Sequence, residues 1–165
     1  MNQDEQEVFR GSFEECVRHL GASLDSRVPK GHRGATLAKQ PLADFCGVSV
    51  PTVTRWFSTG VLPVGGVYIK LMCYLDMVGY RVIELEGMPR GRRNFMELVG
   101  YGILTSEKSV EFLGYSSVST FYQVLQGHHG VSEGKEQKMW DLWKARREVL
   151  ALKKEESKHL YCLGV

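Results

Sequence analysis

A chain of 165 residues with 43% apolar side chains, 24% charged side chains and a formal net charge of +2 has the profile of a folded protein. It is long enough for one medium domain or two small ones, and its charge is too small to announce a polyanion partner by itself. No run approaches the roughly 18 apolar residues of a membrane helix, and the four cysteines (Cys16, Cys46, Cys73 and Cys162) are scattered with no close pair. These features predict a cytoplasmic protein without membrane contact whose reduced thiols are buried or idle.

Charge is uneven along the chain. The first 25 residues lean acidic, with Asp4, Glu5, Glu7, Glu14, Glu15 and Asp25 against Arg10 and Arg18. Residues 27–39 then carry Arg27, Lys30, Arg33 and Lys39 with no acid among them, and Arg90, Arg92 and Arg93 form a second basic stretch. Local patches of this kind can meet phosphates even when the net charge is near zero.

In chain order, the spacing of Phe13, Val17, Leu20 and Leu24 predicts an amphipathic helix starting near Ser12, which makes a capping box with Glu15. Arg27–Gly34 holds a proline and two glycines and should be a loop. Helices follow at Lys39–Cys46 and Pro51–Ser58, then a turn over Leu62–Gly66 and a strongly apolar helix over Val67–Met77. Tyr80–Glu86 alternates like a short strand, and Gly87–Asn94 reads as a linker between halves. The second half is expected to form helices at Asn94–Gly100, Ser106–Leu113 and Val118–Gln126, and a long polar one from Gly134 to His159. That last helix carries a narrow apolar stripe of Met139, Leu142, Ala145, Val149 and Leu152. Beside it, Trp140 and Trp143 read as core or interface aromatics.

The halves repeat each other. With the second shifted by 67 positions, Asp44-Phe45 meets Glu111-Phe112, Gly47 meets Gly114, Gly60 meets Gly127, and Met72 meets Met139. Between the glycines a shift of 68 lays Ser49-Val-Pro-Thr-Val53 over Ser117-Val-Ser-Thr-Phe121.

Lys39 to Ser58 meets the physical demands of a helix-turn-helix. Ala43 is small enough for a second helix to cross closely, and Gly47 accepts positive φ in the turn. Val53 and Trp56 can hold the second helix against Leu42 and Cys46, while Ser49 can cap it and Pro51 suits its first turn. Val50, Pro51, Thr52 and Arg55 are then left to project outward near the helix start, the end that reaches base edges in a major groove. Arg55 has the fork for guanine O6 and N7, and Thr52 or Val50 can meet a thymine methyl. Lys39, Gln40, Ser49, Thr54, Ser58 and Thr59 flank this edge as candidate phosphate contacts, joined by Arg33, Arg90, Arg92 and Arg93. In the second copy the outward candidates are Val118, Ser119, Thr120, Tyr122 and Gln123.

With Leu42-Ala43, Gly47-Val-Ser49, Thr52-Val-Thr-Arg-Trp56, Gly60 and Pro63 in place, residues 35–78 resemble the lambda-repressor-like (Cro/C1-type) helix-turn-helix family. Residues 105–145 resemble it weakly. The resemblance implies a five-helix DNA-binding domain with Lys39 or Gln40 clamping a phosphate. The chain departs from the pattern in its long basic loop before Lys39, in one extra residue between Trp56 and Gly60, and in Phe57 where an acid is usual.

The expected fold is thus mainly α, with two tandem helix-turn-helix units, a long C-terminal helix and room for one short strand. Residues 1–87 form the first unit, 88–94 a basic linker, and 95–165 the divergent second unit. The expected function is sequence-specific recognition of double-stranded DNA by a transcriptional regulator, most simply a repressor, nucleoid-associated if the source is bacterial or phage. The alternatives are a structured-RNA or ribonucleoprotein adaptor and a protein-interaction module. Homodimerisation through the C-terminal helix is a further option. No phosphate loop, nucleophile elbow or catalytic carboxylate pair stands out, so no enzyme and no cofactor is expected. His128-His129 and His159…Cys162 lack the spacing of a zinc site.

Overall fold

The computed structural model describes residues 8–26 and 34–162, so the basic loop and Arg33 lie outside the described residues. The fold is mainly helical. A two-residue strand β1 (Arg10–Gly11) leads into α1 (Phe13–Ser26). The expected capping box closes there: the Glu15 amide donates to Ser12 Oγ at 3.1 Å, and the Ser12 amide to Glu15 Oε1 at 3.3 Å. Phe13, Cys16, Val17, Leu20 and Leu24 form the buried face of α1.

Next come α2 (Gly34–Cys46), α3 (Val50–Thr59) and α4 (Gly65–Met77). Helix α2 begins five residues before the expected Lys39, because Ala35, Leu37, Ala38 and Lys39 are strong helix formers. Helix α4 is the centre of the molecule. Ile69, Leu71 to Leu75 and Met77 are all buried on it, as an element apolar on every side must be. It packs against α1, α2 and both halves of the chain.

The alternating stretch Tyr80–Glu86 gives only a two-residue strand, β2 (Arg81–Val82), parallel to β1 with Arg10 opposite Arg81. Ile83–Glu86 then turns into the single-turn helix α5. Here Glu84 accepts the Phe13 amide at 2.7 Å, and Glu86 holds Arg10 at 2.8 Å and Arg81 at 3.5 Å. Among the described residues β2 has Arg10–Gly11 as its one partner strand, so the ladder is two residues long.

The second half consists of α6 (Arg90–Gly100), α7 (Ser106–Leu113), α8 (Val118–Leu125) and α9 (Glu133–Tyr161). The basic linker expected over 88–94 is mostly the start of α6. Pro89 stands just ahead of it, and Gly91 is buried where its amide donates to Glu136 on α9 at 2.8 Å. Gly91 signalled close approach of another helix rather than a flexible joint. Helix α9 lies along α6, and Lys154 Nζ reaches Glu97 at 2.9 Å. Its last turn reaches back to the first half, where Tyr161 packs edge-on to Phe45 and accepts the Tyr74 hydroxyl at 3.0 Å. One hydrophobic core therefore runs through both halves.

Candidate nucleic-acid interface

The helix-turn-helix begins with burial. Leu42, Ala43, Cys46, Val53 and Trp56 are all buried where α2 and α3 cross. Gly47 takes φ 71° in the turn, where a Cβ would be strained. The Val48 amide donates to the Ala43 carbonyl at 3.0 Å and closes the end of α2. Ser49 then caps α3, accepting the Thr52 amide at 3.4 Å and sharing a 2.9 Å hydroxyl hydrogen bond with Thr52. Pro51 sits in the first turn of the helix.

The second unit repeats these devices. Gly114 takes φ 78°, and Ser117 caps α8 by accepting the Thr120 amide at 3.1 Å. The two hydroxyls of that cap meet at 3.0 Å. Phe121 and Val124 fill the buried places that Val53 and Trp56 fill in the first copy. The shift of 68 positions thus picks out equivalent residues.

On the outward side of α3, Pro51 and Arg55 are exposed and Val50 and Thr52 half-buried. No described residue pairs with the Arg55 guanidinium. Thr52 and Arg55 form one wall of a groove whose other wall is Val64 and Val67. Across Val64 lies a second groove, bounded by Gly65 on one side and by Ser119, Gln123 and His128 on the other. Val64 belongs to both, so the outward faces of α3 and α8 flank a single ridge. That ridge includes Val61 and Val64, 66% and 77% exposed. Sequence reasoning passed over it, although the apolar run Val61-Leu-Pro-Val64 inside a turn was a visible signal.

Several expected phosphate contacts are engaged elsewhere. Lys39 is 9% exposed, with its ammonium 3.4 Å from Thr54 Oγ1, 3.6 Å from Asp25 and over the Phe57 ring. It ties α1, α2 and α3 together, and Thr54 is its partner. Gln40 donates to Asp44 on its own helix at 2.7 Å. Thr59 caps the end of α3, accepting the Val61 amide and donating to the Arg55 carbonyl, while Ser58 stays exposed.

The arginine cluster is split. Arg92 donates to the carbonyls of Val124 and His129 at 3.1 and 3.2 Å, joining α6 to the end of α8. Arg90 stacks over Trp140, and Arg93 is exposed. In the second unit, Tyr122 is turned inward. Its ring lies against Gly65 and Gly66, and its hydroxyl is 2.7 Å from Ser106 Oγ. Val118 and Thr120 are half-buried, Ser119 is exposed, and exposed Gln123 is held by His129 at 2.9 Å.

Burial pushes the Cys46 thiol up to about 12 and the Cys16 thiol to about 11, so neither is a nucleophile at neutral pH. Among the described residues, no group of His, Cys, Asp and Glu is arranged to hold a metal ion, and no helix is long and apolar enough to cross a membrane. No family model, curated protein or solved structure matches the chain.

Proposed function

We propose that this protein binds double-stranded DNA sequence-specifically and regulates transcription, most simply by occluding a promoter. The observation that carries the reading is Arg55. It stands exposed and unpaired by any described residue, on a helix whose inner face is fully used and whose first turn is capped. An arginine so placed retains its whole donor fork for a guanine edge. Val50, Pro51 and Thr52 supply apolar and hydroxyl contact around it, and the exposed Ser49 and Ser58 contact phosphates. Beyond the Val64 ridge, Ser119 and Gln123 address the adjoining part of the same duplex.

Selection from a random duplex pool, with wild type and Arg55→Ala side by side, tests this reading. One enriched motif is expected for wild type, with a loss of about 1–3 kcal/mol of discrimination at a single base pair in the variant. Binding that is salt-sensitive, unselective and identical for both proteins would sink it. Gln123→Ala is expected to relax preference at one end of the motif only.

A further inference from the structure

Helix α9 has a second face that the fold leaves open. Met139, Leu150 and Ser157 are buried against the protein, but Val149 is 52% and Leu152 75% exposed. Ala145 is exposed as well, and half-buried Leu142 completes a spacing of three, four and three. The apolar stripe expected from the sequence is therefore divided. Met139 joins the core and Leu142 packs against its edge, while Ala145, Val149 and Leu152 lie on the outside; Leu142 to Leu152 take the a and d positions of a short heptad pattern.

Charge on either side of this stripe is sorted by sign. Arg146 and Lys153 flank it on one side, and Asp141, Glu148 and Glu155 on the other. We infer that α9 pairs with α9 of a second copy of this chain, in register, as a short parallel coiled coil. In a parallel pair, each acidic flank meets the partner's basic flank five positions further on, so that Asp141 faces Arg146 and Glu148 faces Lys153. An antiparallel pair turns acid on acid and base on base. Val149 at an a position and Leu152 at a d position fit two strands rather than three or four.

Among the described residues these charges have local partners: Asp141 with Gln137 and Lys144, and Lys153 with Glu156. Arg146 and Glu148 stand exposed. Exposed ion pairs add little strength, so they set direction while the four apolar positions supply the attraction. Lys138 before the stripe and Glu156 after it end the contact, which makes the association reversible. The inference stands on α9 alone and is independent of what α3 binds.

Sedimentation equilibrium of the full chain over a range of concentrations is the test. Wild type is expected to show a monomer–dimer equilibrium. Leu152→Glu is expected to weaken it about tenfold or more at unchanged helicity. Leu37→Glu, at a leucine 70% exposed on α2, is expected to leave it intact. The double variants Arg146→Glu/Lys153→Glu and Asp141→Lys/Glu148→Lys are each expected to be monomeric, and to dimerise when mixed. On a Cys162→Ser background, Val149→Cys should cross-link to its own copy on oxidation, since a positions face each other in a parallel pair. A wild type that stays monomeric throughout, or a dimer indifferent to Leu152→Glu, overturns the inference. A dimer in which Val149→Cys fails to cross-link overturns the parallel arrangement.

Discussion

Lys39 and Arg92 show how a basic side chain beside α3 or α8 is drawn into the protein. Each joins neighbouring elements: Lys39 reaches the Thr54 hydroxyl, and Arg92 the carbonyls of Val124 and His129 around the end of α8. A charged donor that bridges two elements contributes to stability, and its removal loses those charge-assisted hydrogen bonds. Arg92→Ala is therefore expected to lower stability by about 1–2 kcal/mol in a denaturant titration while leaving any DNA motif unchanged. Arg55→Ala is expected to do the reverse.

The cysteines give a residue-scale prediction with a definite sign. The Cys46 thiol keeps its proton up to about 12 in the folded state, against 9.0 for a free thiol, because burial penalises the thiolate. Above pH 9 the unfolded chain has lost that proton and the folded one has not. Stability is thus complete below pH 9 and falls as pH rises from about 9 to about 12. Cys16 and Tyr68, also raised by burial, act in the same direction. The denaturant midpoint measured across this range should fall steadily. A midpoint flat to pH 12 would contradict the burial of Cys46.

At the scale of elements, local chemistry and tertiary contact decide different things. The starts of α1, α3, α7, α8 and α9 are written in short range, each with a serine or threonine whose hydroxyl accepts an amide three residues on. The start of α6 has no such signal and is set by helix packing at Gly91. The middle of α4 and the end of α6 show the same dependence, because a Cβ on Gly100 would run into the Cys73 sulfur and Ile69. Gly100→Ala is expected to destabilise the protein by about 1–3 kcal/mol. Gly87→Ala, with φ −87° and nothing within 4 Å of its Cβ, is expected to be neutral or mildly stabilising. Thermal unfolding of the two variants compares them directly.

At the scale of the molecule, the repeat does not make two independent bodies. Tyr122 of the second unit lies on Gly65 and Gly66 of the first, and Tyr161 at the end of the chain closes on Phe45 and Tyr74. Unfolding is expected as a single cooperative transition, and a fragment ending at Gly87 should lack one, because α4 would lose its cover from α6 and α8. Two resolved transitions in calorimetry, or a cooperative fragment, would contradict the shared core.

The sequence alone specifies the helical class, most helix positions, the Ser12 and Ser49 caps, the positive-φ turn at Gly47 and the doubling of the unit. These rest on interactions within a few residues, or on apolar periodicity, which a single strip of sequence contains. It also marked Arg55 as outward, since the inner face of α3 was filled by Val53 and Trp56. Long-range packing settles the rest: Lys39, Arg92 and Tyr122 are engaged inside, Tyr80–Glu86 is mostly not strand, and the α9 stripe is half core and half surface. The reason is common to all of them. A long polar side chain, an alternating stretch or an apolar stripe takes its role from whichever element lies opposite, and that element is distant in the chain.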